Sequence, residues 1–252
     1  MNIDLNCDMG ESYGNFKMGN DEAVFPYITS CNIACGFHGG DPIHIEKTIQ
    51  LAIHHGVKMG AHPSYPDLGG FGRRKMVIPL KELTSIVKYQ VAALKGLVES
   101  YGEKLHYVKP HGALYNSMAD NREEAASVME GIREIDPFLI VMGLAGSEME
   151  QIAQEKEIPF VAEAFADRQY LSNGRLMPRS RKGSVIHDPE KAAEQVLHIA
   201  REGKVKDDQG NRIQLNAQTI CIHGDNPGAV NILQAIHQKL AQAQVQIRSF
   251  VI

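Results

Sequence analysis

The chain has 252 residues, 43% of them hydrophobic, and a formal net charge of −4, which suits one large soluble domain and gives no basic stripe for a nucleic-acid backbone. No run of about 18 apolar residues offers a membrane span, and the start, MNIDLNCDMGE, puts Asp4 and Asp8 where a secretory leader needs a basic end and an apolar core. A cytoplasmic protein with no nucleic-acid or membrane partner is expected.

Short apolar segments alternate with helical patterns from the start. Strands are predicted at 2–7, 30–35, 57–60, 105–109, 139–143, 160–165 and 219–222, with a last candidate at 245–251. After the second strand, GGDPIHIEKTIQLAIHHG puts Asp41 at a cap, Pro42 at the first helical position, Ile45, Ile49, Ala52 and Ile53 on one face, and Gly56 at the stop. The next helix carries Leu83, Ile86, Val87, Val91, Leu94 and Val98 as a stripe and ends near Gly102. Asp120 with Glu123 has capping-box spacing, and Asp188–Pro189 opens a helix that ends at Gly203.

Repetition of one strand–turn–helix unit, without a Ser-rich or Pro-rich linker, predicts a single parallel α/β domain over residues 1–252. Seven or eight strands favour a closed, TIM-like β/α barrel; an open doubly wound sheet is the competing topology. Two segments exceed the simple unit, 63–79 and 167–187, both rich in Gly, Pro and Arg and both directly after a strand. Long βα loops of this kind lie on the face where barrel enzymes bind substrate.

Polar residues fall at the strand ends. The first strand runs into Asn6, Asp8 and Glu11, the second into His38 and Asp41, the third into His62, and the fourth into Lys109 and His111. The sixth runs into Glu163, Asp167 and Arg168, and the seventh into His223 and Asp225. Residues two apart share a strand face, so Asn6 with Asp8, Lys109 with His111, and His223 with Asp225 keep one parity. Ile3, Leu5 and Cys7 take the other. In a barrel, the polar set points to the axis and gathers at one mouth.

Blander roles compete for several of these residues. Asp41, Asp120 and Asp188 stand where caps are expected, and Asp225 can cap or touch a ligand. His54 and His55 end a helix, where the dipole favours them, and His198 and His237 lie within helices. Cys7, Cys31, Cys35 and Cys221 form no CxxC pair and read as packing residues. Lys109, in an apolar strand before Pro110, needs a buried partner or a function. No Walker loop and no dinucleotide GxGxxG is present. The run GGFGRRK combines flexible glycines with Arg73, Arg74 and Lys75, a set able to wrap a phosphate or carboxylate.

Taken together, DLNCDMGESYG, NIACGFHGGDP, GAHPSYPDLGGFGRR, VKPHGALYN, GLAGS, AFADRQY, PRSRKGSVI, DPEKAAEQVL and ICIHGDNPGA resemble the LamB/YcsF family, in the same order from residue 2 to about 240. Gly39 and Asn226 depart from the commoner family pattern and leave His38, Asp41, His223 and Asp225 in place. The resemblance implies a barrel similar to that of glycoside hydrolases and polysaccharide deacetylases. It also implies a 5-oxoprolinase that works with two partner subunits, B and C, opens the lactam of 5-oxo-L-proline to L-glutamate, and consumes ATP, with Mg²⁺, to ADP and phosphate.

On that basis the candidate catalytic residues are Asp8, His38, Lys109, His111 and His223. Asp8 and His111 would handle protons, His38 and His223 orient or assist, and Lys109 bind developing negative charge. Asn6, Glu11, His62, Arg73, Arg74, Glu163, Asp167, Arg168 and Asp225 are the candidate substrate-binding set. No metal is assigned in this reading. An alternative on the same barrel is a divalent-metal-dependent amidohydrolase or deacetylase, and a non-catalytic carrier of the carboxylate substrate is a third.

Overall fold

The computed structural model describes residues 1–251. In chain order the elements are β1 (Asn2–Met9), α1 (Asp21–Val24), β2 (Ser30–Ala34), α2 (Pro42–His55), β3 (Lys58–His62), α3 (Leu80–Ser100), β4 (Leu105–Val108), α4 (Gly112–Asp120) and α5 (Arg122–Ile135). They continue with β5 (Ile140–Leu144), α6 (Glu148–Glu155), β6 (Phe160–Phe165), α7 (Pro189–Glu202), β7 (Lys204–Lys206), β8 (Arg212–Gln214), β9 (Thr219–Ile222), α8 (Ala229–Gln242) and β10 (Gln246–Ile247). No helix among the described residues is long and apolar enough to cross a membrane.

The parallel strands run β1-β2-β3-β4-β5-β6-β9, and β9 returns to β1 through Asp4↔Thr219 to Cys7↔Ile222, which closes a barrel of seven strands. The closed form of the two predicted topologies is therefore the one observed. The candidate eighth strand shrinks to β10, which pairs only with Asn2 and Ile3 at the foot of β1. Ile3, Leu5 and Cys7 belong to the apolar layer between barrel and helices, so the parity expected of β1 holds. Inside, Tyr107, Met142 and Val161 pack together with Phe250 against them. Gly60 makes room there, since a Cβ would meet the Tyr107 ring at 2.2 Å.

Local signals behave as expected at α2 and α7. Asp41 accepts from the amides of Ile43 and His44, both at 3.0 Å, and Asp188 from Glu190 and Lys191. One reading is corrected, and one element is new. Asp120 ends α4, and the cap of α5 is Asn121, which accepts from Glu124 N at 3.1 Å. A side chain one position earlier belongs to the preceding helix, and Asp120 pairs with Arg175 instead, at 2.5 Å. The segment after Gly203 is an antiparallel hairpin, β7–β8, outside the barrel. Its three-residue strands are too short for a periodicity signal.

Asp4 lies in the barrel interior, accepting from Thr29 and Ser30 at 2.7 Å each and from Thr219. Burial pushes its carboxyl up from 3.8 to about 6, against the hydroxyl donors that lower it. The folded state thus keeps a proton that the unfolded chain releases. This one group makes stability fall as pH rises from about 4 to about 6, by up to ~3 kcal/mol. Asp4→Asn is expected to gain stability relative to wild type across that window, read by urea unfolding at several pH values. Parallel curves for the two proteins would remove the assignment.

Candidate active site

The strand-end residues do converge. At the centre is Lys109, 2% exposed on the residue scale, where Pro110 ends β4 and the lysine folds back across the barrel. Its Nζ lies 2.9 Å from Asp8 Oδ1 and 2.8 Å from Glu163 Oε1, with Cys221 Sγ at 3.1 Å and Asn6 Oδ1 at 3.4 Å. Asn6 donates to Glu163 and Thr219, Asn32 donates to Asn6 and to Asp8, and Tyr115 Oη donates to Glu163 Oε2 at 2.6 Å. Burial works against a charge on Lys109, but Asp8 and Glu163 more than offset it and hold its pKa well above the ordinary value. Burial likewise opposes the Asp8 carboxylate, and the neighbouring His62 and Lys109 outweigh it, so Asp8 stays ionised.

Above this ion-pair chain sit three imidazoles. His62 Nδ1 meets the Lys109 carbonyl at 2.7 Å, and His111 Nε2 meets the Phe71 carbonyl at 2.9 Å. A carbonyl only accepts, so both of those nitrogens carry the proton. The remaining nitrogens, His62 Nε2 and His111 Nδ1, face each other at 2.9 Å. His38 stacks on His111 with ring centres 3.7 Å apart, and its Nε2 is 3.1 Å from Glu11 Oε1. Burial pushes His38 and His111 down, and burial, with Asp8 and Asp225 nearby, pushes Glu11 up.

The GGFGRR loop has a different role from the one its composition suggests. Gly72 has φ +63°, and a Cβ there would lie 2.7 Å from His111 and 2.8 Å from His38. Glycine therefore lets the loop cross the imidazoles closely enough for the Phe71 carbonyl to fix His111. Arg73 reaches Asp225 at 2.5 Å and covers the Phe71 ring, so Asp225 ties a loop across the mouth and does not cap α8, whose N-cap is Gly228. Arg74 turns outward to Asp67, 71% of its side chain exposed, and is absent from the cavity wall. Of the candidate set, it alone is placed away from the site.

His223 Nδ1 lies 2.8 Å from Asp167 Oδ1, and the imidazole stacks on Phe165. Burial raises the Asp167 carboxyl, and His223 with Arg179 and Arg168 brings it below its usual value. Arg168 is buried, bonds the carbonyls of Met177 and Ser184, and is pushed by burial down to about 10. A cavity of about 580 Å³ opens above these groups, lined by Asp8, His62, Lys109, His111, His223 and the buried Arg168 and by the exposed Arg73, Lys75 and Arg179. Asn32, Tyr115 and Phe165 also belong to the site; strand parity places Asn32 inward, while Tyr115 and Phe165 escape a reading of polar strand ends. Asn32 shares the inward parity of β2 with Ser30, and Tyr115 follows His111 by one helical turn, a usable signal.

The fold and the site define a β/α-barrel protein with buried acid–base groups at the carboxyl ends of its strands. The LamB/YcsF family model matches residues 3–251. The chain is 48% identical over 248 residues to 5-oxoprolinase A-subunit 1 of Agrobacterium fabrum, covering 98% of this chain and 97% of that one. It is 46% identical over 250 residues to the 5-oxoprolinase A-subunit of Thermus thermophilus, covering 99% and 100%. The crystal structure of a lactam utilization protein, also from Thermus thermophilus, superposes with a TM-score of 0.93 at 44% identity, over 99% of this chain and 100% of that one. The chain belongs to the LamB/YcsF family.

Proposed function

We propose that this chain is the ring-opening component of a cytoplasmic, ATP-dependent 5-oxoprolinase and acts with two partner subunits, B and C. The observation that carries the reading is the convergence of Asp8, Lys109, His62, His111 and His223 on one cavity, in a chain whose full-length relatives are named as the A-subunit of 5-oxoprolinase.

A five-membered lactam is a resonance-stabilised amide with a poor leaving nitrogen, and water adds to it slowly. Transfer of the terminal phosphoryl group of ATP to the carbonyl oxygen, with Mg²⁺, releases ADP and leaves an activated carbon. A first water adds to that carbon, the ring nitrogen takes a proton, and the C–N bond breaks to leave an acyl phosphate; a second water then displaces phosphate, which departs with the former carbonyl oxygen. The products are L-glutamate, ADP and phosphate.

The basic groups that line the cavity, the exposed Arg73, Lys75 and Arg179 and the buried Arg168, suit the phosphate and the substrate carboxylate. Lys109 suits charge developing on the oxygen. Asp8, ionised and set among proton carriers, suits the attacking water, and His111 or His223 the leaving nitrogen.

The test is reconstitution with subunits B and C, following glutamate and ADP as each component is omitted in turn. Glutamate is expected only from the complete set, and Asp8→Asn in this chain is expected to slow it by about 10²–10⁴-fold. Full glutamate production without this chain would overturn the reading and leave a carrier role.

A further inference from the structure

The imidazole cluster contains a close approach that needs a positive centre, a shared proton or a metal ion. His62 and His111 each spend one ring N–H on a backbone carbonyl, of Lys109 and Phe71, so their remaining nitrogens face each other across 2.9 Å with a shared proton or an ion to hold between them. Lone pairs repel at that distance unless a positive centre sits beside them. A carboxylate oxygen, Glu11 Oε1, lies 3.5 Å from His111 Nδ1 and 3.1 Å from His38 Nε2. Glu11, His38, His62 and His111 are all buried, and one donor atom from each falls within 4.8 Å of the others. The other ring nitrogen of His38 has no partner among the described residues.

The geometry points to a divalent first-row transition-metal site formed by Glu11, His38, His62 and His111. Ligand bonds of roughly 2.0–2.2 Å set donor atoms about 3.3 Å apart around a tetrahedral ion; three spacings, 2.9, 3.1 and 3.5 Å, lie near that value, all donors lie within 4.8 Å of one another, and His38, stacked parallel on His111, turns out of the stack to aim its lone pair at the same ion. Two of the imidazoles already donate their second nitrogen to a carbonyl, the outer-shell arrangement that fixes tautomer and ring angle in metal-binding histidines. Three imidazoles with a single carboxylate select zinc, cobalt or a similar ion over Mg²⁺ and Ca²⁺, which take oxygen ligands. This is a different ion from the Mg²⁺ that accompanies ATP.

The four donors come from four separate parts of the chain: the loop after β1, the loop after β2, the end of β3 and the cap position of α4. No HxH or HxxxH spacing announces them. Gly72 makes the cluster possible by letting the Phe71 carbonyl pass over the rings. When bound, such an ion supplies a Lewis acid and a water that ionises near neutral pH. The inference rests on the ring-opening role only for the use to which the ion is put, since the binding itself is a property of this chain.

The test reads metal content. The full chain, purified without chelator, exposed to excess zinc and desalted, is expected to retain about one zinc per chain by mass spectrometry of the elements. Glu11→Gln and His62→Gln are each expected to weaken zinc at least about tenfold in competition with a chromophoric chelator, while His198→Gln, on the outer face of α7, leaves it unchanged. If either variant fails to fold by circular dichroism, X-ray absorption at the zinc edge of the wild-type protein decides, with imidazole scattering expected. Retention below about a tenth of an equivalent, unchanged affinity in both folded variants, or an absorption spectrum without imidazole would overturn the site and leave a shared proton between His62 and His111. Neither result alters whether ring opening requires this chain, so the two readings fail separately.

Discussion

Lys109→Met is expected to abolish ring opening in the reconstituted complex and to destabilise the fold by ~3–5 kcal/mol, the usual cost of breaking a buried ion pair from one side. Its ammonium stands 2.9 Å from Asp8 and 2.8 Å from Glu163, so a thioether in its place leaves two carboxylates facing each other in the barrel interior without a counter-charge. Asn6 and Tyr115 still satisfy Glu163, which limits the damage there. Asp8 keeps the Asn32 amide. Adding Glu163→Gln removes one of the two stranded charges and is expected to recover a good part of the stability. It is not expected to recover turnover, which in both variants falls at least on the order of 10³-fold if the ammonium stabilises charge during reaction. Equilibrium unfolding and glutamate production separate the two effects. Wild-type turnover in a folded single variant would remove Lys109 from the chemistry and leave it a structural ion.

The same residue shows how far sequence reasoning reaches. A lysine inside an apolar strand, followed by proline, demands a buried partner on energetic grounds alone, and the partners found, Asp8 and Glu163, sit at the inward parity of their own strands. Alternation therefore locates both ends of a contact whose members are 101 residues apart. A parallel α/β fold follows from repeating strand–helix units, and the caps at Asp41 and Asp188 from local chemistry, whereas closure is decided by the pairing of β9 with β1. Elements whose signal is shorter than a period stay hidden, as the three-residue strands β7 and β8 show.

Loops are read less well, for a physical reason. Composition records what a loop contains, whereas its function depends on where each side chain is pinned. In GGFGRR, the cation that serves the mouth is Arg73, bound to Asp225, while Arg74 is claimed by Asp67 seven residues away in sequence. Nothing in the spacing distinguishes them. Likewise, the glycines there suggest flexibility. Gly72 is instead held at a left-handed conformation against two imidazoles, a constraint that appears only once β2, β4 and the loop share one space.

Asp167→Asn carries the second large expectation, a fall in turnover of about 10²–10⁴-fold with a modest loss of stability, ~1–2 kcal/mol. His223 gives its Nδ1 to Asp167 at 2.8 Å, which fixes the neutral tautomer so that Nε2 is free to exchange protons in the cavity that His223 lines. An amide of the same shape can donate as well as accept, so it admits the wrong tautomer while filling the same volume. The stacked Phe165 ring holds the imidazole plane in either case, which keeps geometry nearly constant and isolates the proton. If the dyad works as one unit, His223→Gln costs about as much as Asp167→Asn, and the double variant costs little more than either alone. Because Asp167 is held below its ordinary value by His223 and the nearby arginines, its contribution to stability is present above the unfolded carboxyl pKa and is lost as pH falls through the folded one. The stability difference between wild type and Asp167→Asn is therefore expected to shrink in acid. Multiplying rate losses in the double variant, or a stability gap that widens in acid, would show that the two residues act independently.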